Sequence, residues 1–305
     1  MSKARLAALS TLTAVIILWA ASFLGAARKT FLPAVNASSG LTVQFKNSRD
    51  HGLLVDMWID QAGPFVFAID TGAGSSIISR RVVDVEHLVV RPGRRTLVGG
   101  LSTSSISSNQ ETTLQRVAIG RPGAMLTATV PAAVADSLPA GIDGILDPLD
   151  VSPYGYSVDL PNRTLTIFES TQRGLSQADV IAGGAVVRWV RGDGSSRPFV
   201  KLGDGRLALI DTGSNFGLAV SDGVIVGNHG RNGRSVHDLG GGSVQSTRVA
   251  PTIVSIGALV LRSVPTDVLS GVAANTPVII GRDALYPFRI TFDPLRHLIA
   301  IEPAN

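Results

Sequence analysis

The chain has 305 residues, including 33 glycines and 16 prolines, with 5% aromatic residues and a formal net charge of +4. It has no cysteine, which excludes disulfides, thiol catalysis and cysteine metal sites. The modest basic excess includes no basic run interleaved with aromatics, so it gives no support to nucleic-acid binding.

Many Val, Ile, Leu and Thr residues, and no long amphipathic pattern after residue 30, predict a turn-rich all-β protein. Taken in chain order, Leu6 to Ala27 is a 22-residue run without a charge, flanked by Lys3, Arg5 and Arg28-Lys29. About 20 apolar residues suffice to cross a bilayer, and small residues near Ala20-Ala21-Ser22 and Gly25-Ala26-Ala27 suit signal cleavage. Residues 1–27 are therefore expected to form a hydrophobic helix, either a signal peptide or a membrane anchor, and the rest to be exported, periplasmic or extracellular. Residues 28–40, with Pro33 and Ser38-Ser39-Gly40, read as a spacer.

Two hairpins follow, each leading into the same tripeptide. Leu53 to Ile59 and Gly63 to Ile69, with a turn at Gln61 to Gly63, lead into Asp70-Thr71-Gly72. Phe199 to Leu202 and Gly205 to Ile210, turning at Gly203-Asp204-Gly205, lead into Asp211-Thr212-Gly213. Behind the motifs, Ile77-Ile78-Ser79 matches Leu218 to Ser221, Gly144 to Asp147 matches Val278 to Gly281, and Tyr156 to Asp159 matches Ile290 to Asp293. Each half closes on a strand, Leu165 to Ile167 and Ile299 to Ile301, and the polar segment from Ser170 to Gly184 joins them. The aspartates are 141 residues apart and the later strands 134, so one seven-residue difference in a loop accounts for the offset. That is the pattern of a duplicated domain-sized unit, with halves expected at 41–170 and 185–305 and a linker at 171–184.

The paired motifs make the chain similar to the single-chain, two-lobed aspartic proteases of the pepsin and retropepsin superfamily, over residues 41 to 303. The resemblance implies two acid-protease lobes related by a pseudo-twofold axis, each barrel-like and closed or nearly closed, with a cleft between them. It implies Asp70 and Asp211 as a catalytic dyad that activates a water to hydrolyse a peptide or protein substrate. Thr71 and Thr212 would bond across the axis, Gly72 and Gly213 would turn N–H groups to the carboxylates, and Ser214 would add a hydrogen bond to Asp211. Ala73 offers Asp70 no equivalent, which predicts a less acidic optimum than a gastric enzyme has. The second half carries the family pattern as Ile279-Ile280-Gly281-Arg282, but in the first Asp147 stands where the pattern has glycine. A substrate-covering flap is expected within Thr96 to Thr112, including Gly99, Gly100, Leu101 and Ser102, and a second within Val236 to Thr247.

The remaining signals are weaker. The five histidines show no paired metal spacing, no Gly-x-Ser-x-Gly elbow occurs, and Gly72-Ala73-Gly74 lacks the third glycine of a dinucleotide loop, so no metal or cofactor is expected. Arg91, Arg94, Arg95, Arg231 and Arg234 precede the flap segments, where they would either steer anionic substrates or act as solvated loop charges. With both aspartates on one chain, a monomer is sufficient. A non-catalytic module on the same fold, binding peptide or an envelope polymer, is the alternative that Asp147 favours.

Overall fold

A computed structural model describes residues 40–48, 50–98, 101–102, 106–126, 128–169, 174–191, 196–222, 233–237, 242–273 and 276–304. The expected N-terminal helix and spacer, at residues 1–39, lie outside them. The described residues are mostly β, 56% strand against 6% helix, so the helices serve as caps to sheets rather than as a layer. The described residues make up one compact unit.

The first half runs through β1 (Gly40–Gln44), β2 (Lys46–Ser48), β3 (Gly52–Ile59), β4 (Ala62–Ile69) and β5 (Ser76–Ser79). Helix α1 (Arg80–Val85) follows, then β6 (Arg91–Val98), β7 (Ile106–Leu114), β8 (Val117–Ile119), β9 (Val130–Ala135) and β10 (Gly144–Leu146). Helix α2 (Pro148–Val151), β11 (Tyr156–Asp159) and β12 (Thr164–Phe168) complete it. The second half contains β13 (Ala185–Arg188), β14 (Val190–Arg191), β15 (Pro198–Lys201), β16 (Leu207–Ile210), β17 (Leu218–Ser221) and β18 (Arg234–His237). It continues with β19 (Ser243–Ile256), β20 (Leu259–Ser270), β21 (Val278–Ile280), helix α3 (Arg282–Leu285), β22 (Phe288–Asp293) and β23 (Leu298–Pro303).

These strands form three sheets. One has the order β2-β3-β4-β10-β5-β9-β7-β6, with β8 on β3, and another has β14-β15-β16-β21-β17-β20-β19-β18. The two orders correspond strand for strand. In each, the strand entering the Asp-Thr-Gly turn pairs in parallel with a short apolar strand, Ile69 opposite Leu146 and Ile210 opposite Ile280. The third sheet, β1-β12-β11-β22-β23-β13, takes three strands from each half. Among the described residues no sheet closes into a barrel. In the third sheet β11 of the first half pairs with β22 of the second, while β12 and β23 pair within their own halves.

Side-chain alternation along these strands divides the apolar residues. Phe67, Ile69, Ile78 and Leu146, with Ala208, Ile210, Val220, Val268 and Ile280, face one large core that includes residues of both halves. Ile77, Ala133 and Ile145 face the other side in the first half, as do Ala219, Leu269 and Ile279 in the second. The halves meet at β11 and β22, where Tyr156 pairs with Phe292 and their rings stack at 4.5 Å.

Two expectations about local structure are corrected. The first hairpin turns at Asp60-Gln61, with φ of 47° and 78°, and Gly63 lies inside β4. Positive φ at both central residues matches the right-handed twist of the flanking strands. The first flap segment, Thr96 to Thr112, takes in parts of both arms of a longer hairpin, β6 with β7, which runs from Arg91 to Leu114 and in which Val98 pairs with Ile106. The second is the β18 and β19 hairpin, where His237 pairs with Ser243.

Phe292 is fully buried and stacks at the centre of the shared sheet. Phe292→Ala is expected to cost about 3–5 kcal/mol, read from denaturant unfolding as a single transition in which both halves lose stability together.

Candidate active site

Each aspartate is fixed by the strand pair beneath it. The Asp70 N–H donates to the Leu146 carbonyl at 2.9 Å, and the Asp211 N–H donates to that of Ile280 at 3.0 Å. Both side chains project on the face opposite the main core, because Ile69 and Ile210 before them point inward. There the two carboxyl groups hydrogen-bond to each other.

The two turns interlock. Thr71 and Thr212 are buried, and each backbone N–H donates to the other's Oγ1, at 3.2 and 3.1 Å. The Thr71 hydroxyl donates in turn to the Ile210 carbonyl at 2.7 Å. A Cβ on Gly72 would stand 2.8 Å from Asp211 Cγ, and one on Gly213 would stand 2.5 Å from Asp70 Cγ. Each glycine is thus required by the carboxyl of the opposite turn.

Donors are distributed unequally. Asp70 accepts from the Gly72 N–H at 2.8 Å and is also bonded by the Gly213 N–H. Asp211 accepts from the Ser214 N–H at 3.0 Å. The Ser214 hydroxyl instead accepts from the Phe216 N–H at 3.3 Å, so Ser214 supports Asp211 through its backbone. Burial raises the pKa of both carboxyls; for Asp211 the adjacent Asp70 charge adds to it, while for Asp70 the Gly72 N–H, Asp211 and Arg282 oppose it. The pair therefore keeps a proton above the ordinary carboxyl range, with Asp211 the more strongly raised. The expectation that Ala73 leaves Asp70 poorer in donors is corrected, because the N–H groups of both turns converge on Asp70.

Asp147 is explained by a difference between the loops. In the second half a Cβ at Gly281 would stand 2.5 Å from the Phe216 carbonyl oxygen and 2.8 Å from that of Ser214. In the first half the loop is one residue shorter, since Ile77 pairs with Ile145 as Ala219 does with Ile279. Asp147 has ψ of 114° where Gly281 has −170°, and it caps α2 by accepting from the Leu149 N–H at 3.0 Å. Its own N–H donates to Ser76 Oγ at 3.1 Å, and the Ser76 N–H donates to Asp150 at 2.6 Å. Burial, then Asp150 and Asp70, push its carboxyl well up.

Two arginines add to the residues that the sequence singles out. Arg282 is buried and donates through Nη1 to the carbonyls of Thr212 at 2.7 Å and Gly213 at 3.1 Å. Arg197 lies along Gly74 of the first loop, with its guanidinium 5.4 Å from the Phe199 ring centre, and its charge faces both aspartates. Arg282 ends the Ile279-Ile280-Gly281-Arg282 pattern without a role read from it, and the only signal for Arg197 in the sequence is a cation beside a buried strand.

Small apolar clusters flank the dyad: Ile77, Ala133, Ala135 and Ile145 on one side, Phe216, Ala219, Val244, Leu269 and Ile279 on the other. Leu101 packs on the second cluster, its carbonyl accepts from the Ala273 N–H at 3.2 Å, and Ser102 bridges to Val272. The first hairpin's tip therefore crosses to the second half. Gly99 and Gly100, and residues 238–241 of the second tip, lie outside the described residues. With this geometry in place, no family model and no curated protein matches the sequence.

The raised carboxyls at Asp211, Asp147, Asp70 and Asp150 fix the sign of the pH dependence. At these four groups the folded state binds more protons than the unfolded state above pH about 4, so their contribution to stability is greatest below that pH and declines as pH rises. Thermal unfolding between pH 4 and 8 should show this decline, and Asp147→Asn, which keeps a capping oxygen, should flatten it. Thr71→Val, which orphans buried partners, is expected to cost about 2–4 kcal/mol in the same assay.

Proposed function

We propose that this chain is an aspartic endopeptidase of the pepsin and retropepsin type, its two halves acting as lobes related by a pseudo-twofold axis. The observation that carries the reading is the meeting of two Asp-Thr-Gly turns, with hydrogen-bonded carboxyls and each glycine packed on the opposite carboxyl. Paired carboxyls that hold one proton can act as base and acid in the same step, which is the chemistry of this protease class. Asp70, the better-donated member, takes a proton from a water held between the pair. Asp211 gives its proton to the peptide carbonyl oxygen as the water oxygen bonds to carbon. Collapse of the tetrahedral diol returns a proton to the departing amine and leaves a carboxyl product.

The surrounding residues support the same reading. An extended peptide across the dyad would have apolar walls on both sides, and Leu101 and Ser102 would lie over it as part of a flap. Asp147 gives the binding-module alternative little weight, because it caps α2 and its burial favours the neutral form. Both aspartates belong to one chain, so a monomer completes the site. Leu6 to Ala27 supports export, tethered or released; among the described residues no helix is long and apolar enough to cross a membrane.

The test is cleavage of a mixed peptide library by the full chain from pH 3 to 8. A bell-shaped profile is expected, with Asp70→Asn and Asp211→Asn each folded and slowed at least ~100-fold. Undiminished cleavage by either variant would refute the dyad.

A further inference from the structure

The apolar face beside Asp211 is interrupted by a buried charge. On the second sheet, Ala219 pairs with Asp267 in parallel, and Asp267 pairs with Arg248 across the next strand. Alternation puts Asp267, Arg248, Ser246 and Arg234 on the face that carries Ala219, Val244, Leu269 and Ile279, whereas Val268 points into the main core. Asp267 has no solvent exposure. Its Oδ1 accepts from the Ser246 hydroxyl at 2.8 Å, and its Oδ2 lies 3.0 Å from Arg248 Nη2 without the alignment of a hydrogen bond. Arg234 Nη2 stands 3.9 Å from Oδ1.

The arginines differ from the aspartate in what they have left to give. Their side chains are 60% and 47% exposed at Arg234 and Arg248, against 0% for Asp267. A guanidinium carries five N–H donors in a planar fork, so each keeps donors turned to solvent while Asp267 holds its position. Around Ala219, Val244 and Leu269 the charges on this face, among the described residues, are those three, one negative and two positive; Arg262, further along β20, also alternates with the core residue Leu261.

The first half is built differently at the same register. Ala133 pairs with Ile77 as Asp267 does with Ala219, and Glu111 stands opposite Ala133 as Arg248 stands opposite Asp267. Glu111 in turn pairs with Arg91, so the first half carries an anion and a cation here where the second carries two cations about a buried aspartate. The strands with Arg248 and Arg234 lie four and five strand spacings, about 19 and 24 Å, from the strand leading into Asp211. A substrate side chain that meets them therefore belongs to a residue several positions from the scissile bond.

We propose that Arg248 and Arg234, oriented by Asp267, form a subsite for an acidic side chain, so that the substrate carries Asp or Glu at one position on the second-half side of the cut. This rests on the peptidase reading for its substrate but not for its recognition chemistry. A guanidinium and a carboxylate form the strongest class of protein hydrogen bond, with two parallel donors where the fork aligns. Leu269, Val244 and Leu101 would hold the aliphatic stem of Glu and exclude water from the pair. The bare carboxylate of Asp267 takes no part in direct contact, because Arg248 and Ser246 already cover it.

The experiment uses peptide sets that differ only in Glu, Gln or Lys at each position around the cut. Cleavage is measured with the full chain, and binding of the same peptides with Asp211→Asn. Glu is expected over Gln by on the order of tenfold at one position, in kcat/KM and in affinity alike. Arg248→Gln should bring that ratio near one. The paired change Arg248→Gln with Asp267→Asn removes both charges, so a stranded aspartate cannot explain the loss. Arg248→Glu should turn the preference to Lys. Binding without cleavage would contradict the peptidase reading while a Glu preference lost in the Arg248 variants still upheld the subsite. No acidic preference in either assay, or one that survives these changes, would overturn the subsite.

Discussion

The constraint on which the rest of the structure depends is the interlock of two short turns. Thr71 and Thr212 exchange backbone and side-chain hydrogen bonds in a buried position, which leaves each glycine directly against the other turn's carboxyl. Such bonds are worth little net when made, but are costly to break where no water can replace them. They hold two carboxyls close together, where burial first and the neighbouring Asp70 charge second push the Asp211 carboxyl well above its ordinary range. The shared six-stranded sheet provides the leverage, because its central β11 and β22 pair join the halves on a rigid stacked seam.

Around this near-symmetric centre the halves use different supports. The second half needs glycine at 281 because the carbonyls of Ser214 and Phe216 crowd it, and Arg282 then ties the loop down from below. The first half, one residue shorter in its loop, replaces that arrangement with Asp147, Ser76 and Asp150 at the start of α2. Both arginines near the dyad come from the second half. Their positive charge opposes the effect of burial on the carboxyls. The asymmetry extends outward to Asp267 opposite Arg248 in one half and Ala133 opposite Glu111 in the other.

Much of this was legible in the sequence because it is local or repeated. The hairpins leading to Asp70 and Asp211 appear with the predicted pairing, and strands appear where expected at Gly144, at Val278 and at the end of each half. The repeat supplied long-range information that a single motif lacks, placing two aspartates in equivalent surroundings. Features set by distant partners were not legible. Strands β11 and β22 pair across the halves, and nothing in either strand announces its neighbour. The consequence of Asp147 depends on the length of a loop some 70 residues earlier, and the placement of Arg197 depends on Gly74 in the other half. The turn at Asp60-Gln61 is a different case, since glycine at 63 was the stronger local signal and the twist of the flanking strands overruled it.

The central claim is that Asp70 and Asp211 hold one proton between them. Carbon-13 carboxyl NMR of the folded full chain, titrated through the acid range with assignments from single Asp→Asn variants, tests it most directly. One carboxyl is expected to stay protonated well above pH 4 and to lose that elevation when its partner is made neutral. Two carboxyls that titrate independently near the ordinary value would contradict it.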